Sequence, residues 1–215
     1  ASPMQVLNTL EKDFNEHAVS YPGLKGHSIE DECFTKLVSD GMYNDTDGHY
    51  VVPLPLRNKM TELPNNRGVA MSRLLWQTKR MTRDETYRND YIAFMKALFD
   101  KGYCEPVGDS QTDAKTAWYL PHHGTYHPQK RKIRVVFDCS ARFMGIALND
   151  LLLSGPDLAN SLWGVLVRFR FHEIAFTSDI EAMFHQVRVP EHDRCYLRFL
   201  WWDDHQLGGV VKDYQ

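Results

Sequence analysis

The stretch "EIAFTSDIEAMFHQVRVP", residues 173–190, carries the pattern on which the predicted fold depends. An apolar run ends at the carboxylate of Asp179, and the aromatic side chain of Phe184 follows five residues later. This pattern predicts a strand that ends at Asp179, a short turn from Glu181 to Phe184, and an extended segment after it. Metal-dependent chemistry rarely uses one carboxylate, so Asp179 would need a partner.

Composition limits the class of protein. The 215 residues, of which 43% are hydrophobic and 25% charged, are typical of a soluble protein with one large or two small domains. No apolar run could span a bilayer, and residues 1–14 lack the pattern of a secretory signal, so we expect no membrane association. The four cysteines form no C-x-x-C pair, which favours reduced thiols over a zinc site.

Charge is unevenly distributed along the chain. Residues 1–60 carry nine acidic and five basic side chains, whereas the rest is almost neutral. Within "HPQKRKIRVVFDCSAR", residues 127–142, five basic side chains stand against the single acid Asp138. Such a cluster could bind phosphate groups, and the alternative is a solvated hairpin tip.

Periodicity and turn residues predict elements in the first half of the chain. A helix is expected over 5–14, a hairpin over 42–56, and helical structure over 69–101. Thr82 and Glu85 have the spacing of a capping box that would begin a second helix, and Gly102 is placed to end it. The predicted core stripe of that helix is Tyr87, Tyr91, Phe94 and Leu98.

The second half predicts strands with one helix between them. Residues 117–126 and 132–138 form a predicted hairpin, and a helix should begin after Gly155-Pro156, with Asp157 as its cap. Residues 194–202 and 210–214 are predicted strands joined by a polar turn, so we expect an α+β fold. The expected buried face of the helix is Leu158, Leu162, Leu166 and Phe169.

Several apparent motifs do not predict chemistry. "DTDG", residues 45–48, lacks the spacing of a calcium loop or an aspartic-protease loop and is typical of a hairpin turn. His122 and His123 would point to opposite faces of a strand, which disfavours a shared metal. No P-loop, serine-hydrolase or zincin motif is present.

The remaining pairing is the basic strand with the Asp179 segment. Arg134 and Asp138 lie four residues apart, on one face of a strand, while Asp179 and Phe184 provide one acid and one aromatic. Nucleotidyl transfer needs a divalent metal on carboxylates, cations on the triphosphate, and a wall against the sugar. The parts in this chain correspond to that set.

The chain resembles the reverse transcriptase of BEL/Pao-type LTR retrotransposon polyproteins from about Leu37 to its end, and most specifically from Trp118 to Trp202. The run Asn149-Asp150-Leu-Leu-Leu-x-Gly-Pro156 and the pattern Asp-Ile-Glu-x-Met-Phe-x-Gln-Val are diagnostic together. The segment "GHYVVPLPL" also matches what precedes the polymerase in such polyproteins.

The resemblance implies a role for individual residues. Asp179 would bind two Mg²⁺ ions, and the backbone carbonyl of Ile180 would bind one of them. Phe184 would be the steric gate against a 2′-hydroxyl, with a core aromatic as the alternative. Three further positions match residues of the polymerase fingers. Arg134 and one of Lys130 or Lys132 would bind the triphosphate. Asp138 would be an acid that positions the strand, with a structural ion-pair partner as the alternative.

The resemblance also implies that the partners of Asp179 lie outside this chain. The other catalytic aspartates of the family lie in a later Tyr-x-Asp-Asp hairpin, and Asp203-Asp204 reads as a hairpin turn instead. We therefore expect an α+β fold with polymerase fingers and a partial palm, truncated before the second carboxylate motif. The expected regions are an acidic segment at 1–66, fingers at 67–170 and partial palm at 171–215.

The implied partners are an RNA or DNA template-primer, deoxynucleoside triphosphates and the remaining polyprotein segments, including palm, thumb and RNase H. The implied location is cytoplasmic, in virus-like particles. The predicted function is a fragment of an RNA-directed DNA polymerase that is inactive in isolation. The alternative is a non-catalytic transposon remnant that binds nucleic acid or protein.

Overall fold

The computed structural model describes residues 28–58, 63–108 and 116–215, so the predicted helix at 5–14 lies outside the described residues. Helices and small antiparallel sheets make up the fold, and the predicted α+β class is confirmed. The described residues divide into two compact units: a smaller one with the residues up to Lys36 and Ser154–Met183, and a larger one with Leu37–Leu153 and Phe184–Gln215. Helix α1 (Ile29–Gly41) contains the boundary at Lys36.

The larger unit begins with the predicted hairpin of β1 (Tyr43–Asn44) and β2 (Tyr50–Val51), which pair antiparallel. Its turn is held by Asp45, whose Oδ1 accepts the backbone N–H groups of Asp47 and His49, both at 2.9 Å. Gly48 has a φ of +84°, a conformation that glycine adopts without strain. "DTDG" is therefore a hairpin turn, as predicted.

Helices α2 (Arg67–Arg83) and α3 (Glu85–Asp100) fill the predicted helical region. The predicted cap at Thr82 is wrong, because Thr82 lies inside α2 and donates its hydroxyl to the Thr78 carbonyl. Asp84 caps α3 by accepting the Tyr87 N–H. Gly102 ends α3 as predicted: it has a φ of +67°, and the N–H groups of Gly102 and Tyr103 donate to the carbonyls of Phe99 and Leu98.

The second predicted hairpin is confirmed as β3 (His122–Tyr126) and β4 (Ile133–Phe137), which pair antiparallel with Thr125 opposite Arg134. Gly124 allows the hairpin to approach α3, since a Cβ atom there would lie 2.7 Å from the Tyr87 hydroxyl oxygen. The Gly124 N–H donates to that same oxygen at 3.0 Å. The hairpin is thereby fixed on the helix.

The predicted strand at 194–202 is shorter than expected. Helix α6 (Glu191–Arg194) and a 3₁₀ turn (Cys195–Leu197) precede β5 (Phe199–Trp202), which pairs with β6 (Val211–Tyr214). Asp203 and Asp204 lie in the turn between these strands, as predicted. All four side chains of β5 are buried.

Tyr196, Trp201 and Trp202 are buried around the last two strands. Residues 118–120 make backbone hydrogen bonds beside β5, including Leu120 N–H to Arg198 carbonyl at 2.6 Å. On the other side, residues 105–107 pair with the end of β6. Segments distant in sequence thus cover both edges of this strand pair.

Two apolar clusters form the core of the larger unit. One joins α2, α3 and the strands around the aromatic residues Tyr87, Tyr91 and Trp201. The other surrounds Trp118 and includes Leu148 from the short helix α4 (Leu148–Leu151). Of the predicted helical stripe, Tyr87, Tyr91 and Leu98 are buried and Phe94 is half-buried.

The smaller unit differs most from the prediction. Helix α5 (Leu162–Phe169) begins later than expected, with Ser161 rather than Asp157 as its cap. The Asp157 carboxylate instead accepts the Ala159 N–H within the preceding loop. The side chains of the face expected to be buried are instead 38–71% exposed. They are Leu158, Leu162, Leu166 and Phe169.

The predicted strand ending at Asp179 is wrong, since residues 173–179 have no regular structure and Ile174 and Phe176 are each 85% exposed. An isolated extended segment leaves its backbone groups unpaired, and the described part of this unit contains no strand beside it. The predicted short turn is present as a 3₁₀ turn at Met183–His185. Among the described helices, none is long and apolar enough to cross a bilayer.

Candidate functional site

The predicted phosphate-binding cations lie on the β3–β4 hairpin. We call Lys130, Arg131, Lys132 and Arg134 the basic hairpin. The first three occupy the turn, Arg134 lies on the outer face of β4, and all four side chains are exposed. All four are therefore accessible on one hairpin of the larger unit, which fits both a phosphate-binding surface and a solvated hairpin tip.

His127 organises the turn that presents these cations. Its carbonyl accepts the Arg131 N–H at 2.9 Å, and its N–H donates to the Lys132 carbonyl at 3.0 Å. Its Nδ1 atom accepts the backbone N–H groups of Gln129 and Lys130. Since Nδ1 is an acceptor, the ring proton of neutral His127 lies on Nε2. The sequence shows only that His127 precedes a proline, and this did not predict that its ring would hold the turn.

Asp138 lies just beyond β4, at the other end of that strand from the turn. Its Oδ1 accepts both the backbone N–H and the hydroxyl of Ser140, and its own N–H donates to the Pro121 carbonyl at 2.8 Å. The carboxylate thus closes a local turn of the Asx type. This contact gives Asp138 a structural function beside its predicted role near Arg134.

Asn149 and Asp150 stabilise local structure after the basic hairpin. The Asp150 carboxylate accepts the Ala147 N–H at the start of α4 and pairs with Arg142 at 2.8 Å. The Asn149 N–H donates to the Cys139 carbonyl. These contacts anchor α4 to the segment that follows the basic hairpin.

Asp179 and Ile180 belong to the smaller unit, where both side chains are exposed. They lie in irregular backbone rather than at the end of a strand. Across the described ranges, no group of three His, Cys, Asp or Glu side chains is placed to hold a metal ion. One carboxylate and one carbonyl do not fit a pair of Mg²⁺ ions, which need several anionic ligands.

Phe184 lies in the 3₁₀ turn, where the larger unit resumes, and its ring is 86% exposed. The next residue, His185, stacks on Tyr103 with the ring centroids 4.8 Å apart. The Gln186 carbonyl contacts the His49 ring, and Arg188 pairs through its backbone with Tyr50 and Val52. Phe184 is therefore an accessible ring on an anchored segment.

An ion cluster that the sequence did not predict completes this anchor. The Arg188 guanidinium contacts Asp45 at 2.6 Å and Asp47 at 3.0 Å. Partial desolvation raises the pKa of Asp45, but the N–H groups of His49 and Asp47 and the charge of Arg188 outweigh it and hold that pKa below its ordinary value. The segment that ends near Arg188 is thus tied to the β1–β2 turn.

A second polar cluster lies near the end of β6. The Asp213 carboxylate accepts from Arg67 and from the Tyr119 hydroxyl, both at 2.7 Å. Burial raises the pKa of Asp213, but these hydrogen bonds and the charges of Arg67 and Arg198 outweigh it and lower that pKa. Asn66 accepts the Tyr119 N–H and donates to the Tyr119 carbonyl, both at 2.8 Å. No sequence motif indicated this cluster.

Comparison of the chain with protein-family models, with curated proteins and with solved structures gives no significant match.

Proposed function

We propose that this chain is the fingers and first palm portion of a retrotransposon reverse transcriptase of the BEL/Pao type. The observation that carries the proposal is the basic hairpin, which presents four exposed cations on a strand pair fixed against α3. The motif "SDIEAMFHQV", residues 178–187, supports it through its resemblance to the first palm motif. The resemblance remains the basis for choosing polymerase over other phosphate chemistry.

Each site residue has a role in this proposal. Arg134 and either Lys130 or Lys132 bind the triphosphate, because guanidinium and ammonium groups complement phosphate oxygens. Asp138 positions the end of β4, and the exposed ring of Phe184 blocks a 2′-hydroxyl by steric clash. Asp179 and the carbonyl of Ile180 are the proposed ligands that this chain contributes to a Mg²⁺ centre of the complete polymerase.

The isolated chain should not extend a primer, because the described residues supply too few metal ligands. The decisive test joins the chain to the remaining palm and thumb of such a polyprotein and measures single-nucleotide insertion with both sugars. Asp179→Asn should lower the insertion rate by several orders of magnitude and leave template-primer binding intact. Phe184→Val should preserve deoxynucleotide insertion and raise ribonucleotide insertion.

Two outcomes would contradict the proposal. If Asp179→Asn remains active, Asp179 is not a metal ligand of the polymerase. If Phe184→Val leaves sugar discrimination unchanged, Phe184 is not the steric gate. Phe176→Val is a matched control, since Phe176 is another phenylalanine with an almost equal exposed fraction.

The second candidate function is a non-catalytic module that binds nucleic acid. The exposed cations of the basic hairpin favour it, because phosphate binding by cations needs no metal. In that case the joined polymerase would be inactive with any sequence at 179 and 184. Nucleic-acid binding by the isolated chain would still weaken when the four hairpin cations are replaced by alanine.

A further inference from the structure

Helix α2 carries a second basic surface, separate in sequence from the hairpin and from the Asp179 motif. The helix has basic residues but no acid between Arg67 and Arg83. Its buried side chains, among them Leu74 and Met81, define one face. Because a helix turns 100° per residue, the side chains opposite and flanking that face point away from the core, and they include polar, basic and aromatic residues. We call these residues the α2 stripe: Ser72, Arg73, Trp76, Lys79, Arg80 and Arg83.

The charges of the α2 stripe are available to a ligand. Arg80 stacks over the Tyr87 ring at 3.9 Å, but it remains exposed. Arg73, Lys79 and Arg83 are also exposed, and none of them forms an ion pair with another residue that the structure describes. Four exposed cations on a helix that has no acid of its own create a positive potential that attracts anions.

An aromatic platform lies in the middle of these charges. Trp76 is 59% exposed, which is unusual for so large a side chain. It borders an open groove of about 570 Å³ whose other walls include Gly68, Arg73 and Phe143. A flat, exposed ring beside a groove is suited to stack a planar group.

Gly68 lines this groove near the start of α2. Its φ is outside the left-handed region, and a Cβ atom there would meet nothing within 4 Å. The space beside Gly68 is open, so a ligand can approach the helix backbone there.

We propose that the α2 stripe binds single-stranded nucleic acid, with a base stacked on Trp76 and phosphates on Arg73, Lys79 and Arg83. Aromatic rings between cations are what unpaired bases and their phosphates require. A duplex hides its base faces, and an acidic peptide would use the charges but not the ring. The stripe shares no residue with the proposed polymerase site, so the inference does not rest on that function.

The test measures the binding of an oligothymidylate to the whole chain at low salt. Quenching of tryptophan fluorescence reports the binding. Trp118, Trp201 and Trp202 are buried, so the signal that responds to a ligand should come from Trp76 or from the 77% exposed Trp163. Trp76→Ala should abolish the quenching and weaken binding about tenfold, because one stacked base contributes about 1–3 kcal/mol. Trp76→Phe should retain most of the affinity, and the matched control Trp163→Ala should bind like the wild type.

The charges are tested separately from the ring. The triple variant Arg73→Ala, Lys79→Ala, Arg83→Ala should reduce the slope of log affinity against log salt by about two, since each phosphate contact on a single strand contributes about 0.7. The control replaces Lys36, Lys96 and Arg170, three exposed cations outside the stripe, and should leave the slope nearly unchanged after an equal change of net charge.

Several results would overturn the proposal: wild-type affinity in Trp76→Ala, an unchanged salt slope in the triple variant, duplex binding with the same dependence on Trp76, or equal quenching by polyglutamate. If only the alanine variant of the basic hairpin loses binding, the α2 stripe is not the site and the proposed polymerase function is unaffected. If only the stripe variants lose binding, the inference holds and the hairpin loses its support.

Discussion

His122 shows how one residue depends on three elements. Its Nε2 atom lies 2.9 Å from the Leu200 carbonyl oxygen, and its Nδ1 atom contacts the Tyr91 hydroxyl. A carbonyl only accepts, so Nε2 carries the proton and Nδ1 accepts from Tyr91. The neutral ring therefore satisfies both partners, and it links β3 to α3 and β5 inside the aromatic cluster.

This arrangement predicts a loss of stability in weak acid. Burial lowers the pKa of His122 to about 4 from 6.5. Between these values the unfolded chain takes up a proton that the folded chain does not, so the contribution of His122 is complete above pH 6.5 and is lost as the pH falls towards 4. The expected loss is about 3 kcal/mol at pH 4, from 1.36 kcal/mol per unit of pKa difference.

Urea unfolding between pH 7.5 and 5 measures this effect above the range of the carboxylates. His122→Gln should be less stable than the wild type at pH 7.5, but its free energy of unfolding should fall less as the pH is lowered. His123→Gln is the control, because its half-buried ring lies on the other face of β3. Parallel pH profiles for His122→Gln and the wild type would contradict the assignment.

At the scale of elements, two residues near the junction of α2 and α3, Thr82 and Asp84, are alternative caps for the start of α3. The sequence offered Thr82 as the cap, but Asp84 accepts the Tyr87 N–H at 2.9 Å. Asp84→Ala should lower the free energy of unfolding by about 1 kcal/mol, as removal of a helix cap does. Thr82→Ala should change it by only a few tenths, since exposed sites away from such contacts are nearly neutral.

Chemical denaturation of both variants measures the difference. A larger loss in Thr82→Ala than in Asp84→Ala would show that the capping box at 82–85 operates after all. Asp84→Asn should retain most of the stability, because an amide oxygen can also accept the Tyr87 N–H.

At the scale of the whole molecule, exposed apolar side chains are concentrated in the smaller unit. Trp163, Ile174 and Phe176 are exposed by 77–85%, while Trp201 and Trp202 in the larger unit are buried. Exposed apolar groups favour association. We expect concentration-dependent self-association, measured by sedimentation velocity, to decrease in a Trp163→Ser, Ile174→Ser, Phe176→Ser variant.

The matched control replaces Met42, Tyr43 and Tyr50, which are exposed apolar residues of the larger unit, with serine. It should leave the self-association unchanged. Equal sedimentation of the first variant and the wild type at high concentration would contradict the expectation.

Local patterns predicted much of the larger unit. The Asp-Gly turn, the two hairpins, the end of α3 at Gly102 and the polar turn at Asp203 depend on residues within a few positions of one another. The basic hairpin was predicted for the same reason, since its cations occupy adjacent positions. The placement of Asp179 and Ile180 in irregular backbone was not predicted, because the apolar run before them is typical of a strand.

By itself, the sequence determined the α+β class, the turn positions, and the basic and acidic segments, because propensity and turn chemistry act over short distances. Only the tertiary structure decided that residues 105–107 and 118–120 cover the last two strands, that Asn66 binds the backbone of Tyr119, and that Arg188 pairs with Asp45. These contacts join residues that are about 50 to 140 positions apart. The chain brings such residues together only when burial of the aromatic core offsets the entropy of ordering the segments between them.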